Sequence, residues 1–173
     1  MSEAGVAVSA APVLRDAGTV DAEALAALYN HYVAHTAVTF EETPVAPVDM
    51  AARLADNAAV GLPWLVAECD GEIAGYAYAS KWKGRCAYRY AVESTVYLQP
   101  AAVGRGVGSR LYGALIDQLR ERRLHTVIGG IALPNDASVR LHEKLGFVKV
   151  AQFRQVGFKF GRWIDVGYWQ LML

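Results

Sequence analysis

Apolar positions along the chain recur with two periods, near 2 and near 3.6, and the switch between them divides it into elements. Pro12 to Arg15 reads as a short first strand. Behind Asp21, the residues Ala24, Leu25, Leu28 and Tyr32 repeat at helical spacing, which predicts a helix N-capped by Asp21 and running to about Ala34. Thr36 to Pro47 reads as a loop punctuated by Pro44 and Pro47, and Asp49 to Ala59 as a second, short helix. Trp64 to Glu68 is an apolar run of strand length. Asp70-Gly71 is a hairpin turn signal, and Ile73 to Trp82 is the returning strand. Lys83 to Tyr88 is a polar, cationic connection before a strand from Tyr90 to Leu98. Val107, Leu111, Leu115 and Leu119 mark one face of a helix from about Gly106 to Arg122. Thr126 to Leu133 is the next strand. Pro134 to Leu145 is a helix stopped by Gly146. From Phe147 the chain reads as β, with a hairpin near Lys159 to Arg162 and a last strand to Leu173. Strands mixed with four helices predict an α/β or α+β domain with a mostly antiparallel sheet.

Composition narrows this picture. The 173 residues suit one domain with a sizeable core, and 54% hydrophobic against 20% charged residues describes a globular chain. No repeat, charge block or Pro/Ser-rich linker interrupts it, so a single domain over 12–173 is expected. The stretch 1–11 lacks the basic start of a signal peptide and is expected to be a loose tail. A formal net charge of +0 removes the basic field that non-specific nucleic-acid or membrane-surface binding needs. No apolar run is long enough to span a bilayer. Cys69 and Cys86 show no C-x-x-C spacing and read as reduced thiols, which points to the cytoplasm.

Candidate chemistry concentrates in one stretch. Glu93-Ser94-Thr95-Val96-Tyr97-Leu98 is strand-like with an acid near its start. Gly104-Arg105-Gly106-Val107-Gly108-Ser109 is a glycine-rich turn running into a helix. A turn of exposed amides at a helix N-terminus is an anion site, suited to a pyrophosphate. The turn is not a P-loop, because no Lys precedes Ser109. It is not a dinucleotide fingerprint, because the third glycine and the later acid are missing. By residue type alone, Glu93 reads as an ordinary solvated or ion-paired strand residue, and the turn reads either as a tight start to a helix or as bare amides that approach a ligand. His31 and His35 stand at i, i+4 without an evident third ligand, so no metal is expected. Trp64 and Trp169 are expected in the core, and Arg120, Arg122 and Arg123 at a solvated helix end.

The order strand, Gly-x-Gly-x-Gly turn, helix, strand, then Asn135-x-x-Ala-Ser-x-x-x-His-x-x-x-Gly146-Phe147, resembles the GNAT acyl-CoA N-acetyltransferases. Further segments resemble the phosphinothricin and methionine-sulfoximine N-acetyltransferases within that superfamily. They are Tyr29-Asn30-His31-Tyr32, Thr39-Phe40, Trp82-Lys83-x-Arg85, Val92 to Tyr97, Leu133-Pro134-Asn135, Gly157-Phe158-Lys159 and Trp163-x-Asp165. The resemblance runs from about Leu14 to Leu173.

It implies a GNAT fold, with strands splayed at an acetyl-CoA site. It also implies transfer of an acetyl group to the α-amine of a small amino-acid analogue. Glu93 would be the general base and His142 a second acid/base group, with Tyr97 an alternative proton donor. Val96, Tyr97 and Leu98 would line the acyl arm. Gly104, Arg105, Gly106, Val107, Gly108 and Ser109 would cradle the pyrophosphate, and Asn135 and Ser138 would also contact the cofactor. Val103 stands where the family usually carries Arg or Gln. Phe40, Lys83, Arg85, Tyr88 and Thr95 would meet the acceptor, the cations offering donors to a phosphinate, sulfoximine or sulfone group. The same resemblance implies a homodimer reached through the Gly157 to Trp163 hairpin. A polyamine, aminoglycoside or protein N-terminal acceptor, and a non-catalytic acyl-CoA sensor, are the competing readings.

Overall fold

The computed structural model describes residues 11–173, so the expected tail lies outside the described residues but for Ala11. In chain order the elements are β1 (Val13–Asp16), α1 (Ala22–His35), α2 (Pro47–Ala59), β2 (Trp64–Cys69), β3 (Glu72–Lys81), β4 (Ala91–Leu98), α3 (Val107–Glu121), β5 (Thr126–Leu133), α4 (Asp136–Lys144), β6 (Val148–Lys159) and β7 (Arg162–Met172). The strands form one open sheet in the order β1-β2-β3-β4-β5-β7-β6. The β4–β5 pair is parallel and all other pairs are antiparallel.

Side-chain alternation divides two cores between the faces of that sheet. On β2 and β3, Trp64, Val66, Tyr76 and Tyr78 point to the face covered by α1 and α2. Leu65, Ala67, Ala77 and Ala79 point to the face where Leu111, Leu115 and Leu119 of α3 pack. The small residues on that second face let α3 lie close. Register carries the same parity into β4, where Tyr97 is opposite Tyr76, Thr95 opposite Tyr78 and Glu93 opposite Ser80. Glu93, Thr95 and Tyr97 therefore share the α1/α2 face, and Ser94 meets Tyr112 of α3 on the other.

Several local expectations change. Asp21 stands at the N-cap position of α1 but its carboxylate does not cap the helix. It instead accepts a fork of bonds from Arg15, at 2.9 and 2.7 Å, and one from the Gly18 amide at 2.8 Å. A bidentate guanidinium is a stronger partner than a helix amide. Ala24 is exposed, and α1 buries Ala22, Leu25, Ala26, Leu28, Tyr29 and Val33 instead. Helix α2 begins two residues earlier than expected, since Pro47 fits a first helical position where no N–H is required. The Lys83 to Tyr88 connection contains a single 3-10 turn at Cys86–Tyr88.

Candidate active site

Strands β4 and β5 are paired only from Ala91 to Glu93, against Thr126 to Ile128. Beyond Glu93 the two strands part, each running five residues further. The mouth so opened is continuous with a cavity of about 780 Å3. It is walled by Glu93 to Leu98 on one side, Gly130 to Ala132 on the other, and the ends of α3 and α4.

The glycine turn closes one end. Gly104 and Gly106 hold φ of +79° and +81°, a region that disfavours other residues. Gly106 sits at the N-cap of α3 and has no side chain to cap it, and the first α3 amide bonded back to it is that of Arg110, at 3.2 Å. The N–H groups of Val107, Gly108 and Ser109 thus end the helix with no capping side chain, at the positive end of its dipole. Val103, Gly104, Gly106, Gly108 and Ser109 all line the cavity. Two members of the expected cradle do not. The Val107 side chain is buried in the core, so only its backbone faces an anion, and the Arg105 side chain is exposed outside the lining.

Cationic charge comes instead from α4. Arg140 and Lys144 line the cavity, and the Lys144 ammonium donates to Ser109 Oγ at 3.2 Å. No motif marked these two. They are detectable only as residues one and two turns beyond the Asn135 cap. Asn135 Oδ1 accepts from the Ser138 amide at 3.1 Å, which fixes the start of α4 and leaves the carboxamide NH2 free.

Glu93 is half buried at the point where β4 and β5 part. Burial raises its pKa above the ordinary carboxylate range, and the Lys83 cation pulls part of the way back. Its surroundings explain how a carboxylate is tolerated there. Gly130 presents bare backbone, and a Cβ on it would stand 3.4 Å from Glu93 Oε1 and 3.3 Å from the Tyr168 ring. The Tyr168 phenol is itself pushed up by burial and by the Glu93 charge. Tyr168 is a neighbour that sequence reasoning missed, because β7 reaches the site only through its pairing with β5 (Gly130 opposite Tyr168).

His142 is 4% exposed, not on an open helix face. Its Nδ1–H donates to the Ser138 carbonyl at 2.8 Å, which leaves Nε2 as an acceptor. Tyr112 O–H donates to Nε2 at 3.0 Å, and the Tyr112 oxygen in turn accepts from Ser94 Oγ at 2.5 Å. Burial pushes the imidazole pKa down, so it stands neutral in this chain of bonds. A Cβ at Gly129 would collide with the ring, so the bare backbone of β5 makes the space that His142 fills. Both ring nitrogens are engaged. His142 also lines the cavity, and through these bonds its ring ties β4, α3 and α4 together.

The expected acceptor residues divide. Thr95 lines the cavity, with Val38, Thr39 and Tyr32, which sequence reasoning had not assigned. Lys83 is exposed, over the Trp82 ring at 4.8 Å, and reaches the site through its field on Glu93. Arg85 and Tyr88 are exposed and outside the lining, because the 3-10 turn carries them off the sheet. Phe40 is 41% exposed and also outside it, with its ring packed on Gly157. Trp64 and Trp169 are buried as expected, and Cys69 and Cys86 are free thiols.

Known proteins resemble this chain in sequence and in fold. The chain is 42% identical over 160 residues to the phosphinothricin N-acetyltransferase of Streptomyces viridochromogenes, covering 91% of this chain and 85% of that one. It is 41% identical over 160 residues to the L-methionine sulfoximine/L-methionine sulfone acetyltransferase of Salmonella typhimurium, covering 92% and 94%. A crystal structure of a GNAT superfamily phosphinothricin acetyltransferase from Sinorhizobium meliloti, in complex with acetyl-CoA, superposes with a TM-score of 0.92 at 35% identity, over 95% of this chain and 89% of that one. Residues 14–167 match the acetyltransferase (GNAT) domain family, and with a splayed sheet, an uncapped amide turn and a raised carboxylate in one cavity, the chain belongs to the GNAT acetyltransferases.

Proposed function

We propose that this N-acetyltransferase moves the acetyl group of acetyl-CoA directly to the α-amine of a small amino-acid analogue. The acceptor would be of the phosphinothricin, methionine sulfoximine or methionine sulfone type. The observation that carries the reading is the half-buried Glu93 carboxylate at the parting of β4 and β5, in the same cavity as the amide turn. When bound, acetyl-CoA supplies an activated acyl thioester. The turn amides of Val107 to Ser109, with Lys144 beside them, would hold its pyrophosphate, and Val96 to Leu98 its arm. The free edge of β4 offers amides toward the thioester oxygen.

A raised pKa suits Glu93 to take a proton from the ammonium group, directly or through water, because a base closer in pKa to its substrate transfers protons more efficiently. Protonation of the leaving thiolate falls to Tyr97, which lines the cavity, since both His142 nitrogens are occupied. The Lys83 charge beside Glu93 disfavours polyamine and aminoglycoside acceptors, and the names of the relatives favour a small amino acid.

The chain would act as a homodimer. Phe153, Phe158, Phe160 and Trp163 are all more than half exposed on the β6–β7 ribbon. Large neighbouring apolar groups of this kind mark contact surfaces. Light scattering reads that state directly, and a monomer at micromolar concentration would overturn it.

The test of function is release of free CoA thiol from acetyl-CoA with each acceptor type in turn. Saturable turnover with methionine sulfoximine, methionine sulfone or phosphinothricin, and none with a polyamine, is the expected result. Glu93→Gln should lower kcat by roughly 10²–10⁴-fold while acetyl-CoA still binds. Full activity in that variant would remove Glu93 from the mechanism.

A further inference from the structure

Lys159, the last residue of β6, is 2% exposed and takes part in no ion pair among the described residues. Its ammonium donates to two backbone carbonyls, Val33 at 2.8 Å and Thr39 at 2.9 Å, and lies 5.1 Å from the Phe160 ring centroid. Burying an ammonium without a carboxylate is costly. Burial pushes its pKa down, and the more distant Glu42 and Glu41 offset part of that. A residue this expensive should hold something that a neutral side chain would not.

What it holds is the segment between α1 and α2. Val33 lies in the last turn of α1, where carbonyls lack helical partners and a cation complements the dipole. Thr39 belongs to the loop that follows, lines the cavity beside Val38, and pairs its hydroxyl with Tyr29 O–H at 2.7 Å. Phe40, next in sequence, packs its ring on Gly157, where a Cβ would overlap the ring. Lys159 and Gly157 stand two apart on the same strand, so both side contacts come from one end of β6.

We infer that Lys159 is a positioning residue for the acceptor half of the site, clamping the Val33 and Thr39 carbonyls so that Val38 and Thr39 form its wall. This rests on the acetyl-transfer reading above, in which that wall faces the amine substrate. The anion turn shares none of these contacts, so the clamp should affect one substrate and spare the other.

The test uses the full chain, with acetyl-CoA and L-methionine sulfoximine as probes. Lys159→Met should lower kcat/KM for the acceptor by up to roughly 10²-fold, the scale of a 1 Å misplacement, chiefly through a rise in the acceptor KM. The dissociation constant for acetyl-CoA, measured by calorimetry, should stay within about twofold. Lys159→Arg keeps the charge and the donors and should recover part of the loss. Gly157→Ala leaves the ammonium in place but displaces Phe40, and should give the same selective rise. Hydrogen exchange read over 36–46 provides an assay that needs no turnover, and Lys159→Met should speed it. Should the wild type acetylate no acceptor, the functional reading fails, while the exchange result still decides the clamp. Unchanged exchange, or an equal rise in both substrates' constants, would overturn the inference.

Discussion

Replacing Gly129 by Ala tests the packing that sets His142 in place. An added Cβ would stand 2.5 Å from His142 Nε2 and 2.7 Å from Cδ2, well inside ordinary contact. The imidazole cannot move freely, because Ser138 and Tyr112 hold its two nitrogens, and the Phe147 ring packs edge-on at 5.0 Å between centroids. Overpacking of this kind costs about 1–3 kcal/mol. Losing one of the two imidazole bonds adds about 1 kcal/mol. Relief of glycine entropy in the unfolded chain returns about 0.5–1 kcal/mol. The net is a loss of about 1–3.5 kcal/mol, or roughly 2–14 °C in Tm for a domain of this size. Gly113 supplies the control. It lies inside α3, and a methyl group added there would meet nothing within 4 Å, so Gly113→Ala should gain about 0.5–1 kcal/mol from helix propensity. Thermal and urea unfolding of both variants reads the difference. If Gly129→Ala melts within about 1 °C of wild type, the imidazole is not confined as described.

Other perturbations follow from the same contacts. Tyr112→Phe removes the hydroxyl joining Ser94 to His142 and should cost about 1–3 kcal/mol by leaving buried partners unpaired, measured by urea unfolding. His142 has a folded pKa below its unfolded value near 6.5, so its contribution to stability is complete above about pH 6.5 and is lost as pH falls below it. Unfolding between pH 5 and 8 should show that slope, and His142→Gln should flatten it. As the proposed base, Glu93 would act only when ionised, so its raised pKa should place the acid limb of kcat/KM above the pH of an ordinary glutamate. A limb near pH 4 would contradict its burial. Lys144→Ala should weaken acetyl-CoA binding by roughly fivefold, about 1 kcal/mol, with a smaller penalty at high salt, as read by calorimetry.

Much of the architecture could be read from the chain. Val107, Leu111, Leu115 and Leu119 occur at helical spacing, and all four are buried in α3. The Asp70-Gly71 turn and the Lys159 to Arg162 hairpin are local signals that no distant contact opposes. Glu93, Thr95 and the glycine turn were legible because each lies in one contiguous stretch. What escaped was whatever depends on non-adjacent strands or on competition between partners. Tyr168 reaches Glu93 through the β5–β7 register, and Tyr112 reaches His142 across two helices. Asp21 left its helix for Arg15, a partner that no cap pattern encodes. Arg85 and Tyr88 carry suitable chemistry at a suitable place in sequence, but the backbone turn between them faces outward.

The parting of β4 and β5 also has a mechanical meaning. Among the described residues, the strand ladder joining β1–β4 to β5, β7 and β6 has three register pairs, Ala91–Thr126, Val92–Val127 and Glu93–Ile128. The sheet is thus two blankets stitched along one short seam. An extended ligand lying against β4 would take the position of missing stitches, so occupancy and folding are linked. At a hundredfold excess over its Kd, a ligand that binds only the folded chain adds about 2.7 kcal/mol. The half-sheets should therefore breathe most in the empty enzyme, and amide exchange along Ser94 to Leu98 becomes a gauge of how much substrate the protein is carrying.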